Sequence, residues 1–156
     1  MKTPFTLLRS KLQYLFLLCA FLGFLAPSNA QGIHIPDDNF AAAIRSACPT
    51  CINAMDTLLP PAASITNLNI ENKGIVSLSG LHGFSSLQTL WAVDNQVTVL
   101  PTLPNSLTYL GMRGNLLTSL PTLPTGLMTL DVDQNPVTSL PTLPVGLKYL
   151  WVQGGH

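Results

Sequence analysis

Cys48 and Cys51 form a CPTC motif, the spacing at which two thiols can cycle between dithiol and disulfide. A reactive thiolate is favoured at a helix N-terminus, where the backbone dipole lowers its pKa. Here the pair follows a segment of helical periodicity, so it sits near that helix's negative end, and Pro49 stops the helix from running through. The placement points to a structural disulfide, with redox cycling and free thiols as the alternatives. A zinc site needs about four ligands, and no neighbouring residues complete a set with these two. The run DVDQN, Asp131 to Asn135, opens like a calcium loop. That loop also needs Gly at its sixth position and Glu at its twelfth, where this chain has Pro136 and Thr142. His34, His82 and His156 have no consistent carboxylate or cysteine spacing around them. No nucleophile elbow, phosphate loop or HExxH motif occurs. No catalytic residue, metal or cofactor is expected, and the function is expected to be non-enzymatic.

The elements that would position any site come from a repeat. From Leu87 the chain recurs every 20 residues: LQTLWAVDNQVTVLPTLPNS, LTYLGMRGNLLTSLPTLPTG, LMTLDVDQNPVTSLPTLPVG, then a partial LKYLWVQGGH. A looser 22-residue unit, Ile65 to Ser86, precedes them, with Ile65, Leu68, Ile70, Ile75 and Leu78 at the apolar positions. A short fixed period means a solenoid. Within LxxLxL the side chains alternate as in a strand. Leu90 with Ala92, Leu110 with Met112, and Leu130 with Val132 face inward, and equal phase stacks the strands in parallel. The return segment LPxLP carries prolines that fix φ, remove a donor and disfavour helix at the residue before. It predicts an extended run, with Leu100, Leu120 and Leu140 facing the core and Leu103, Leu123 and Leu143 beside them.

The unit LxxLxLxxNxLxxLPxLPxx resembles the leucine-rich repeat family, in particular its short bacterial class of secreted effectors and surface proteins. The resemblance covers Ile65 to His156, 92 of the 156 residues. It implies a short parallel sheet on a concave face and extended, polyproline-like convex segments. It also implies that the amides of Asn95, Asn115 and Asn135 bond backbone groups inside the turns. Lys73 replaces this asparagine in the first unit, with Asn72 adjacent. The preceding segment, 31–64, is read as an N-terminal cap. Asp37 or Asp38 is the N-cap of a helix whose apolar face is Phe40, Ile44, Ala47 and Cys48, and the IPDDNF start resembles the leader of secreted bacterial leucine-rich proteins.

Residues 1–30 read as a Sec-type signal peptide: Lys2, Arg9 and Lys11, then the run LQYLFLLCAFLGFLA, then Ser28 and Ala30 at small-residue positions before Gln31. No membrane span remains after cleavage. The expected location is outside the cell or at its surface, in a compartment that permits disulfides. The chain from Gln31 holds four basic and seven acidic residues, a net −3, with no basic stripe for nucleic acid. The chain stops halfway through a unit, and a fragment of a longer protein is expected.

What remains for function is the outward strand face. Its first column is Asn67, Thr89, Tyr109, Thr129 and Tyr149. The second is Asn69, Trp91, Gly111, Asp131 and Trp151, and the third Glu71, Val93, Arg113, Asp133 and Gln153. Aromatics with Arg and Asp nearby are the composition of binding hot spots. The expected ligand residues are therefore Trp91, Tyr109, Arg113, Asp131, Asp133, Tyr149 and Trp151, with Gly111 leaving a gap beside Tyr109. The expected partner is a protein on the concave face, and a glycan is the alternative.

Overall fold

A computed structural model describes residues 32–153. The expected signal peptide lies outside the described residues. Helix α1, Asp38–Ala47, is followed by a 3-10 turn at Pro60–Ser64 and then by one short strand per coil. The strands are β1 (Asn67–Asn69), β2 (Thr89–Trp91), β3 (Tyr109–Gly111), β4 (Thr129–Asp131) and β5 (Tyr149–Trp151), joined in sequence order into one parallel sheet. Leu68, Leu90, Leu110, Leu130 and Leu150 share one register row.

Alternation sets which side chains are buried. Leu90, Ala92, Leu110, Met112, Leu130 and Val132 are all fully enclosed. The return segments are extended and contain no helix from Val97 onward. Each begins its next unit with the same turn: Leu107, Leu127 and Leu147 donate their N–H to the carbonyls of Pro104, Pro124 and Pro144, at 3.1, 3.1 and 3.0 Å. Because the prolines lack N–H groups, this side is held mainly by apolar packing. Leu100, Leu103 and Leu123 are buried, and Leu120 and Leu140 are half-buried. Leu143 departs from the expectation. It is exposed because, among the described residues, no coil packs outside it, and Leu150 on β5 and Val152 just after it are exposed for the same reason. The first unit also differs from the others, turning at Leu81–Gly83 through a short 3-10 segment.

Helix α1 begins where Asp37 accepts a hydrogen bond from the Phe40 N–H at 2.8 Å. It ends at Cys48, whose backbone (φ −148°, ψ 87°) has left the helical region, as a residue before proline is driven to do. The other oxygen of Asp37 accepts from the N–H groups of Val76 and Ser77, both at 2.8 Å. One carboxylate thus fastens the helix start to the first coil. Asn39 adds a bond to the Gly74 carbonyl, and the Phe40 ring packs on Phe84 with centroids 6.5 Å apart. The buried face of the helix is Phe40, Ala41, Ala43 and Ile44. Ala47, expected inside, is exposed: it is in phase but lies in the last turn, beyond the side chains that the first coil covers. Cys48, expected on the same face, is only half-buried, where the chain turns out of the helix.

Beyond the helix, Cys48 and Cys51 are joined in a disulfide with a Cα–Cα distance of 5.3 Å. Cys51 is fully buried and Cys48 half-buried. Arg45 pairs with Asp56 and donates to the Asn53 carbonyl, tying the loop that follows the disulfide back to the helix.

Candidate functional site

The outward face is assembled by strand register. Thr89, Tyr109, Thr129 and Tyr149 lie opposite one another across successive strands, as do Trp91, Gly111, Asp131 and Trp151. Neighbouring parallel strands lie about 4.8 Å apart, so Trp91 and Trp151 are separated by about 14 Å. The third column continues past the strand ends. There the Asp94 and Gly114 N–H groups bond to the carbonyls of Arg113 and Asp133 on the next coil, at 2.9 and 3.0 Å.

Glycine at one position of the second column decides the geometry. A Cβ on Gly111 would meet Tyr109 Cε1 at 3.1 Å and Trp91 Cδ1 at 3.5 Å. The Tyr109 ring therefore leans over Gly111 and packs on Trp91, with centroids 5.3 Å apart and planes at 45°. The gap expected beside Tyr109 is filled by that ring. On β5 the Tyr149 and Trp151 rings lie 5.9 Å apart and within 11° of parallel, each about half exposed. Two aromatic pairs thus flank β4, whose outward residues are the half-buried Thr129 and Asp131.

The charged residues sit on the same side. Asp131 accepts the Asp133 N–H at 3.1 Å, which orients its carboxylate. Asp133 in turn accepts the Gln153 N–H at 3.1 Å and faces Arg113 Nε at 3.9 Å. Asp131 has no ion-pair partner among the described residues. The structure brings all seven expected ligand residues, Trp91, Tyr109, Arg113, Asp131, Asp133, Tyr149 and Trp151, onto one face. It divides them into two ring pairs, one ion pair and one lone carboxylate.

Asn95, Asn115 and Asn135 point the other way and are buried. Asn115 accepts from the Val97 N–H at 3.1 Å and donates to the carbonyls of Ala92 and Met112, both at 2.9 Å. Asn135 repeats this one coil on, with Leu117, Met112 and Val132. In the first turn Asn95 accepts two N–H groups, those of Lys73 and Ile75, and so serves the coil that lacks its own asparagine. These amides are occupied by backbone and offer nothing to a ligand. The sequence reading missed the residue before each rung. Asn72, Asp94, Gly114 and Gln134 all take left-handed φ, between 52° and 67°. Their mixed identity hides the requirement, and only Gly114 and the Asn and Asp types give any signal of it.

One strand per coil, a parallel sheet and a buried asparagine ladder define a leucine-rich repeat solenoid. Similar solved structures are bacterial leucine-rich repeat proteins. The functional domain of InlJ from Listeria monocytogenes, which includes a cysteine ladder, is 34% identical with a TM-score of 0.62, over 74% of this chain and 26% of its own. A Shigella effector LRR domain is also 34% identical, with a TM-score of 0.55, over 64% of this chain and 43% of its own. The internalin InlF from Listeria monocytogenes shares the fold at 21% identity and a TM-score of 0.54, over 75% of this chain and 43% of its own. The chain thus spans less than half the length of each. No protein-family model matches the chain, and no curated protein matches it. Among the described residues, no helix is long and apolar enough to cross a membrane.

Proposed function

We propose that the protein is a non-enzymatic binding module that acts outside a bacterial cell or at its surface and holds a protein partner on the outward, concave strand face. The observation that carries this reading is the concentration of Trp91, Tyr109, Tyr149, Trp151 and Arg113 on one half-exposed sheet face. Trp, Tyr and Arg are the residues that dominate binding energy at protein interfaces. Rigid rings supply contact area at little entropic cost, and a regular parallel sheet offers them in fixed columns. The likeness to the InlJ domain and the Shigella effector domain supports a module of the same kind. Export rests on the signal-peptide pattern of residues 1–30.

The test is site-directed photo-crosslinking. A benzoylphenylalanine placed at Thr89 or Thr129 on the strand face, or at Thr102 or Thr122 on the return side, is irradiated with surface-protein extracts. Crosslinked protein bands from the strand-face positions, lost in Trp151→Ala, are expected. Bands from the return side alone would overturn the reading. Glycan-array binding that Trp91→Ala and Trp151→Ala abolish, with no protein crosslink, would replace it with the glycan alternative. The export component is checked by N-terminal sequencing of secreted material, expected to begin at Gln31; an intact Met1 would refute it.

A further inference from the structure

The two aromatic pairs do not form one continuous platform. Between them lies β4, where Thr129 and Asp131 are the outward side chains. In the second column Asp131 is in register with Gly111 on one side and Trp151 on the other. Tyr109 covers Gly111, so the half-buried Asp131 stands in its row between a residue overlaid by a tyrosine ring and one that bears an indole. The strands carrying Gly111 and Trp151 are two spacings apart, about 9.6 Å. That spacing leaves Asp131 as the one outward side chain of the second column between them.

Its charge is unmatched. Arg113 is turned to Asp133 at 3.9 Å, and no cation among the described residues pairs with Asp131. Glu71 and Asp94 add negative charge around the same face without ion-pair partners of their own among the described residues. A carboxylate with aromatic rings beside it attracts a cation twice over, through its charge and through the negative faces of the rings. Among protein side chains, arginine fits both, because its guanidinium is planar, stacks on aromatic faces and pairs with a carboxylate through parallel N–H donors.

We propose that Asp131 and the rings on either side of it, Tyr109 and Trp151, form a slot that receives one arginine side chain of the protein partner, with Asp131 as counter-ion. The proposal rests on the reading of the strand face as a protein-binding surface and names the chemistry of the partner there. The aromatic pairs on either side, Trp91 with Tyr109 and Tyr149 with Trp151, then hold the apolar residues that flank the arginine.

The chain contains two tryptophans, Trp91 and Trp151, and both report on this face. The test uses capped Leu-Arg-Leu and Leu-Gln-Leu peptides titrated into the purified protein, followed by the indole N–H resonance of Trp151, assigned with Trp91→Phe. The arginine peptide is expected to shift that resonance saturably, and the glutamine peptide to bind at least about tenfold more weakly. Asp131→Asn keeps the oxygen that accepts the Asp133 N–H, so the fold stays intact, and it should weaken the arginine peptide about five- to tenfold. Trp151→Leu, checked for an unchanged melting temperature, should do the same by removing a wall. Equal shifts from both peptides, or arginine binding unaffected by Asp131→Asn, would overturn the proposal. If strand-face crosslinks persist in Asp131→Asn and an excess of the arginine peptide does not compete with them, the face binds protein but not through an arginine in this slot. If the crosslinks themselves fail, the broader reading falls instead.

Discussion

Replacing the three ladder asparagines by alanine should not cost the same, although they occupy equivalent places in the repeat. The reason is that neighbouring rungs share acceptors. The Ala92 carbonyl receives both Asn95 and Asn115, and the Met112 carbonyl receives both Asn115 and Asn135. Removing Asn115 leaves each of those carbonyls one partner, and it orphans a single group, the Val97 N–H, in a fully buried position. Removing Asn135 orphans the Leu117 N–H and leaves the Val132 carbonyl without a side-chain partner. Removing Asn95 strands the most: the Ile75 and Lys73 N–H groups and the Ile70 carbonyl have no substitute. A buried unsatisfied backbone group costs about 1–3 kcal/mol. Asn115→Ala should therefore lose about 1–3 kcal/mol, Asn135→Ala about 2–5, and Asn95→Ala about 3–6, the Lys73 group lying nearer water. Urea denaturation of the three variants at constant m-value measures this order. Equal losses, or Asn115 costing most as the central rung, would refute the acceptor-sharing argument. Asn115→Asp adds a second arm. It keeps the acceptor for Val97 but turns a carboxylate oxygen toward two carbonyls, so above the carboxyl's ordinary titration range it should be worse than alanine.

Gln134 holds a left-handed φ of 53° without being Gly, Asn or Asp, so Gln134→Gly should raise stability by about 0.5–1 kcal/mol, read from the denaturation midpoint. Leu110→Ala should cost about 2–5 kcal/mol, whereas Thr108→Ala, half-buried and outside the inward phase, should cost less than about 1 kcal/mol; equal losses would mean the inward phase is wrong. Reducing Cys48–Cys51 returns only a short loop's worth of entropy to the unfolded chain, so it should lower stability by about 2 kcal/mol by chemical denaturation, and native alkylation without reductant should label neither sulfur. Trp91→Ala should weaken the protein partner found by crosslinking at least about thirtyfold, measured by calorimetry, while Thr122→Ala on the return side leaves it unchanged.

The repeat made the sheet legible because one phase rule controls every coil. Leucine at the first and fourth positions of a unit, with Ala92, Met112 or Val132 at the sixth, fixes inside and outside, and parallel register follows once each coil has the same length. Proline removes the donors on the return side, so extended structure there is also readable. What escaped the pattern lies where the coils are not equivalent. Leu143 carries the same letter as Leu103 and Leu123, yet it is exposed because burial depends on a neighbour that the unit itself does not encode. Asp37 reads as a helix N-cap, but its second oxygen accepts from the N–H groups of Val76 and Ser77, 39 and 40 positions away. No local pattern announces such a contact.

The outward face shows the same boundary between column and conformation. Alternation places Trp91, Gly111, Asp131 and Trp151 in one row, and nothing in that row says where the rings lean. A missing side chain at Gly111 reads as an opening, yet a tyrosine two residues earlier on the same strand can lie down over it. It does so because Trp91, in register with Gly111 on β2, offers a face for the ring to pack against, and covering apolar surface is favourable. That local collapse has a distant consequence. Had Tyr109 stood upright, Gly111 would be the cleft and Asp131 one of its rims. With Tyr109 down, Asp131 is left as the half-buried outward carboxylate between that ring and Trp151, where the arginine slot is proposed. The chemistry favoured there changes from an apolar group entering beside a glycine to a cation entering above a carboxylate. Filling the position tests this directly. Gly111→Val would meet Tyr109 Cε1 at the Cβ distance of 3.1 Å and push the ring off its seat. The sheet should survive, since valine suits a strand, while the Trp91–Tyr109 contact is lost and the Asp131 slot loses its near wall. A nuclear Overhauser contact between the Tyr109 and Trp91 rings should be present in the parent protein and absent in this variant. If arginine-peptide binding is unchanged when that contact is gone, Tyr109 is not a wall of the slot.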